Sequence, residues 1–424
     1  MKTLIKNGYV LQGDEYVLQD VLIYNNTIIE VGKIETTDLC QVIDAKENYI
    51  LPGFIDMNCT IFEPGYVNKE ELVTAARSAV KGGFTSICMQ PNTNPVTDNE
   101  TVVAYIISAA KKIPQVNIFP YGAMTKGLSG QGLTEIGKMK DVGIIGVSDG
   151  GVPITDATIL RNIFSYSKMF DLPLITACKD LYLYDGGVLH DGYTATLMGL
   201  RGISKEAEEV ITARNIILAR HTGAKLHLNH ISTGGSVEII RQAKKDGINI
   251  TCEVQPQYFA LTENYALGYN TLSKLSPPLR EKQDLEAIKQ GIIDGTIDAI
   301  SSGHLPETIE SKHVEFDLAS FGISSLETTF AISYKYLVES GAISLSQLVE
   351  KLSTTPADIL GLKTKGKIAV DYDADIIIMD LKDKYTINSK KFASKAKYSP
   401  FDGEEVKGTV IQSFVGGVLS YVKE

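Results

Sequence analysis

Few side chains in this 424-residue chain could hold a metal ion or move a proton at neutral pH, since it has 6 histidines and 5 cysteines. The cysteines (Cys40, Cys59, Cys88, Cys178, Cys252) are scattered with no C-x-x-C pair. They read as reduced, mostly buried thiols of a cytoplasmic protein. Two histidines share the run His227-Leu228-Asn229-His230-Ile231-Ser232-Thr233. Three residues apart on a strand, they are expected to face opposite ways. His230, with Ser232 and Thr233 near, reads as a hydrogen-bonded pocket residue or a metal ligand. Asp149, in Ser148-Asp149-Gly150-Gly151, reads as a turn cap or a carboxylate ligand. His304 reads as a polar core residue or part of a site. His190, His221 and His313 fall in helix or loop contexts and are expected to be exposed.

The elements that must position these residues follow a clear rhythm. The first fifty residues are strand-like: Leu4-Ile5, Val21-Leu22-Ile23-Tyr24 and Ile28-Ile29-Glu30-Val31 are split by turn signals at Asn7-Gly8, Gly13-Asp14 and Asn25-Asn26. From Leu51-Pro52-Gly53-Phe54-Ile55-Asp56 onward, short apolar runs alternate with amphipathic stretches. That gives about eight β/α units, the count of a TIM (β/α)8 barrel. After Gly361 the strand texture returns. The expected class is α/β: a barrel over 51–361 and a small β-sandwich from segments 1–50 and 362–424. Apolar residues make up 44% and charged residues 22%, enough for a large core in a water-exposed protein. A net charge of −10 without a Lys/Arg-rich run argues against a nucleic-acid or anionic-membrane surface. No apolar stretch approaches the ~20 residues of a membrane span. MKTLIKNGYVLQGDEY lacks the apolar core of a signal peptide, which also points to the cytoplasm.

Read in order, the motifs resemble those of dihydroorotases of the long bacterial type, members of the amidohydrolase superfamily. Leu51-Pro52-Gly53-Phe54-Ile55-Asp56-Met57, followed by Glu63-Pro64-Gly65, looks like the family's first barrel strand. Met89-Gln90-Pro91-Asn92-Thr93-Asn94-Pro95 resembles its M-P-N-T-x-P loop, with Gln90 altered. Ser148-Asp149-Gly150-Gly151 resembles S-D-D-G, and His227 to Thr233 resembles H-x-x-H-x-S-T. Ser276-Pro277-Pro278-Leu279-Arg280 resembles N-P-P-L-R. Asp294-Gly295-Thr296-Ile297-Asp298-Ala299-Ile300, then His304-Leu305-Pro306, resembles D-G-T-I-D-x-I followed by D-H-A-P-H. The likeness runs from about Leu4 to Val422.

The resemblance implies hydrolysis of a cyclic amide C–N bond, dihydroorotate to N-carbamoyl-aspartate, by a pair of zinc ions that activate water. It also implies about five or six ligands at strand ends. Most are replaced. Asn58 and Thr60 stand at the two histidines of the family's H-x-H, and Ala177 stands at the next. Gly303 replaces the catalytic aspartate. Asp149 and His230 remain. Cys59, between the two inward positions, is expected to face outward. The arginine that grips the substrate carboxylate is Phe62, Ser276 replaces an asparagine, and Glu307 would repel the anion. Asn92 is the substrate-binding remnant.

Three function classes follow. The first is a pseudoenzyme without a cofactor, a structural or regulatory partner of aspartate transcarbamoylase, as some relatives are. The second is a working cyclic amidohydrolase whose zinc site is rebuilt from Asp149, Asp180, His304 and Glu307. The third is a small-molecule binding module in the emptied pocket. The family also makes a homodimer an expected assembly.

Overall fold

The computed structural model describes residues 2–12, 15–35 and 40–423. The turn signal at Gly13-Asp14 lies outside them. Strands β1 (Lys2–Gln12), β2 (Glu15–Tyr24) and β3 (Thr27–Gly32) form an antiparallel meander. Strands β4 (Cys40–Asp44) and β5 (Tyr49–Pro52) both pair parallel to β1.

The next strands carry the α/β unit: β6 (Phe54–Cys59), β7 (Phe84–Met89), β8 (Asn117–Pro120), β9 (Gly122–Ala123), β10 (Val147–Ser148) and β11 (Leu174–Ala177). After a short parallel side pair, β12 (Leu189–His190) with β13 (Gly202–Ile203), come β14 (Leu226–Asn229), β15 (Ile250–Val254) and β16 (Ala299–Ile300). β6 and β7 are buried along their whole length, as parallel strands covered on both faces are. Helices such as Leu72–Lys81 and Glu206–Thr222 alternate with these strands in sequence.

The expected barrel is present as two parallel sheets rather than one continuous ring. One is three-stranded, β6-β7-β8; the other is six-stranded, β16-β15-β14-β11-β10-β9. Two junctions link them. At Tyr121 a single residue separates β8 from β9, and its N–H donates to the Met89 carbonyl. At the other edge Cys59 forms a parallel bridge with His304, and Thr60 N–H donates to the His304 carbonyl at 2.8 Å.

At the C-terminal end, β17 (Ile376–Asp380) pairs antiparallel with β5. A small hairpin, β18 (Tyr385–Thr386) with β19 (Glu405–Val406), precedes β20 (Thr409–Val415) and β21 (Val418–Val422). Both termini thus build one eight-stranded sheet in the order β21-β20-β17-β5-β1-β2-β3, with β4 also on β1. It takes in Leu51 and Pro52, which the sequence reading gave to the barrel. Among the described residues no helix is long and apolar enough to cross a membrane.

Candidate functional site

The C-terminal strand ends converge on a cleft, and its floor is a hydrogen-bonded chain. Ser148 Oγ donates to Gln90 Oε1 at 2.7 Å, and Gln90 Nε2 donates to Asn58 Oδ1 at 3.1 Å. The Asn58 amide nitrogen lies 2.7 Å from His230 Nε2 and 2.9 Å from Glu253 Oε1. Its two hydrogens serve both acceptors, so the His230 Nε2 lone pair is taken by the amide. Burial holds His230 below its ordinary pKa, and so neutral. For Glu253, burial alone would raise the carboxyl; the contact with His227 and the hydrogen bond from the Asn58 amide outweigh it and hold it below its ordinary value.

That geometry corrects the reading of His227. On β14 the side chains of Leu226 and Leu228 pack into the large core, while Asn229 lines the cleft and His227 turns toward Glu253 and Thr251 of β15. His227 Nε2 lies 3.4 Å from Glu253 Oε2, and Nδ1 lies 2.8 Å from Thr251 Oγ1. His230 lies past the strand end with φ 57°. This left-handed residue breaks the alternation, so both histidines approach one carboxylate.

The other positions are equally committed. Asp149 accepts from Gly151 N–H and Ala177 N–H, each at 2.9 Å. Burial raises its carboxyl to about 7. Asn92 Nδ2 donates to the Gly150 carbonyl at 2.6 Å and so holds the same turn. Asn58, Thr60, Ala177 and Gly303 all line the cleft. Cys59 is fully buried in the core outside it, with Ile61 and Leu72. Gly303 has φ 60°, and a Cβ built there would lie 2.6 Å from Gln255 Cγ. Gln255 therefore fills the space where the family's aspartate would stand.

The candidate replacement ligands are engaged elsewhere. Asp180 caps the helix Leu181–Tyr184 through Tyr182 N–H and Leu183 N–H. Glu307 pairs with Lys69 at 2.7 Å, so its charge is answered rather than repelling an anion. His304 accepts from Ser325 N–H at Nδ1 (3.3 Å) and meets Glu70 Oε2 at Nε2 (3.2 Å). Phe62 packs beneath the Lys69 ammonium, 4.7 Å from ring to charge. Ser276 Oγ meets the Tyr184 hydroxyl at 3.0 Å.

His190 is buried, which corrects the expectation that it is exposed. The short pair β12–β13 tucks it beside Arg280, whose Nη1 lies 3.2 Å from Nδ1. His221 and His313 are exposed. The Ser232-Thr233 pair is held by buried Glu208, which accepts both backbone N–H groups at 3.0 Å. Glu208, Glu253, Gln255 and Glu70 were missed from the sequence; a buried carboxylate or amide has no local signature there.

A zinc pair does not fit these residues. An amide, a hydroxyl, a methyl and a glycine stand at four ligand positions, and the two survivors already hold hydrogen bonds. Among the described residues no three His, Cys, Asp or Glu side chains converge to hold a metal ion.

Comparison with known proteins places this architecture. A family model described as Dihydro-orotase-like matches residues 47–236. The chain is 45% identical over 419 residues to a protein of Ruminiclostridium cellulolyticum named dihydroorotase, covering 98% of both chains. It is 44% identical over 427 residues to the protein of that name from Caldanaerobacter subterraneus subsp. tengcongensis, covering 100% of this chain and 98% of the other. Among solved structures, the L-hydantoinase (dihydropyrimidinase) of Arthrobacter aurescens superposes with a TM-score of 0.89 at 25% identity, over 99% of this chain and 96% of that one. The fold is thus α/β of the amidohydrolase type, and the full-length likeness to these relatives shows that the chain belongs to the dihydroorotase family.

Proposed function

We propose that this dihydroorotase-family protein of pyrimidine biosynthesis has kept the barrel and its mouth but no longer hydrolyses dihydroorotate. The observation that carries this reading is the filled metal site. Asn58 occupies the His230 lone pair, and Gln255 occupies the seat beside Gly303. Without a metal pair, water keeps a pKa of about 15.7 instead of about 7. Without an acid at position 303, proton transfer loses roughly 10²–10⁴-fold.

The test is an assay of N-carbamoyl-aspartate cyclisation and dihydroorotate hydrolysis with zinc, manganese and cobalt supplied, beside elemental analysis of the purified protein. The expected result is no turnover above the buffer blank and no tightly held zinc pair. Turnover that disappears in Asp149→Ala or His230→Ala would overturn it.

A second reading, a working cyclic amidohydrolase with a rebuilt site, is favoured by the 45% identity to a protein named dihydroorotase. The same assay separates the two. The non-catalytic reading also brings a partner, aspartate transcarbamoylase. Its support is a fold retained over the full chain while the catalytic positions changed, and co-expression followed by size-exclusion chromatography tests it.

A further inference from the structure

The cleft that lost its metal ligands has kept a polar lining, and its charge is unusual. Among the described residues lining it, Lys179 is the single Lys, Arg, Asp or Glu. This half-buried ammonium sits 3.9 Å from the centroid of the Tyr184 ring and, among the described residues, has no hydrogen bond or ion pair. The nearby carboxylate Asp180 is turned away to cap the following helix. In a chain of net charge −10, this is a local positive point facing a cavity of about 170 Å³.

A second observation is independent of charge. Asn229 and Gln257, each 2% exposed, line the same cleft. The Asn229 Oδ1 and Gln257 Oε1 atoms are buried and, among the described residues, find no hydrogen-bond partner. A buried amide oxygen without a donor destabilises the fold, and a ligand N–H removes that cost.

We propose that Lys179 grips the anionic group of a small ligand in this cleft, while Asn229 and Gln257 accept its N–H groups. The chemical class is a compact monoanion with amide or ureide N–H donors. The ammonium would take over, from another side of the mouth, the task of the cation that Phe62 has displaced. Tyr184 holds the ammonium in place and is itself fixed by Ser276. The inference rests on the reading of this mouth as a retained binding cleft.

The test uses the full chain and isothermal titration with two rings, dihydroorotate and dihydrouracil, which differ by the carboxylate. Dihydroorotate is expected to bind at least about tenfold more tightly, the scale of one charge-assisted contact. Lys179→Met keeps the apolar stem and is expected to erase that difference, while Lys179→Arg keeps it. Thermal melting checks that both variants fold. An acid preference that survives Lys179→Met overturns the proposal, and so does the absence of binding by either ring at millimolar concentration. Product formation during the titration would instead sink the non-catalytic reading, and leave the role of Lys179 to be decided by the variants' affinities.

Discussion

Gly303 stands where the resemblance places the family's aspartate. Its left-handed backbone and the contact with Gln255 leave no room for a side chain. Restoring the family residue with Gly303→Asp should therefore not restore hydrolysis, and should destabilise the fold by about 1–3 kcal/mol. Adding Gln255→Ala should recover part of that loss, because it empties the seat. Urea denaturation of the single and double variants measures both effects; equal stability of Gly303→Asp and the parent would show that the seat is open.

Asp56 carries a prediction about pH. It is fully buried and bonds Ser302 through both its N–H and its hydroxyl. Burial outweighs those bonds and lifts its carboxyl to about 6. An unfolded aspartate titrates near 3.9. Between these values the folded state holds the proton and the unfolded state does not. The stability contributed by Asp56 is thus fully present below about 4 and is lost as pH rises through about 6. Its slope is up to about 1.4 kcal/mol per pH unit. Stability measured from pH 4 to 7 should fall less steeply in Asp56→Asn than in the parent; parallel curves would refute the assignment.

At the scale of elements, Glu70 joins pieces that lie far apart in sequence. This fully buried carboxylate meets His304 near the last strand, Thr74 in the helix Leu72–Lys81, and Ser394 with Lys395 N–H in the C-terminal segment. Its removal leaves a buried histidine and a serine without their acceptor. Glu70→Ala should cost about 3–5 kcal/mol, the range for breaking a buried pair. It should also loosen the stretch from Ser389 to Tyr398, which carries Lys390, Lys391, Lys395 and Lys397. Limited trypsin digestion should then cut the variant first within that stretch, and a digestion pattern unchanged from the parent would count against the tether.

For the whole molecule, β17 decides how the two parts fold. Its side chains alternate between two cores. Ile377 and Met379 pack into the large core of the α/β unit, and Ile376 and Ile378 into the core of the terminal sheet. One strand shared by both cores couples their unfolding. Scanning calorimetry should show a single transition, and Ile377→Ala and Ile378→Ala should each lower its midpoint, at about 2–5 kcal/mol per substitution. Two resolved transitions, only one of them moved by Ile378→Ala, would show independent domains.

The sequence by itself determined the family-wide outline. Ordered motifs from Leu51 to Pro306 marked the strand ends, alternation along β6 placed Cys59 outside the mouth, and the identities of Asn58, Thr60, Ala177 and Gly303 marked the departures from the family's motif. These are local properties of spacing and residue type. The tertiary structure alone decided what took their place. Gln255 and Gly303, Asn58 and His230, and Glu70 and Ser394 meet across long stretches of chain. The inward turn of His227, the burial of His190 against Arg280 and the setting of Lys179 over the Tyr184 ring also depend on neighbours the sequence does not order. A side chain's partners are fixed by where the packed helices and strands bring distant segments together, and residue spacing along the chain carries no measure of that distance.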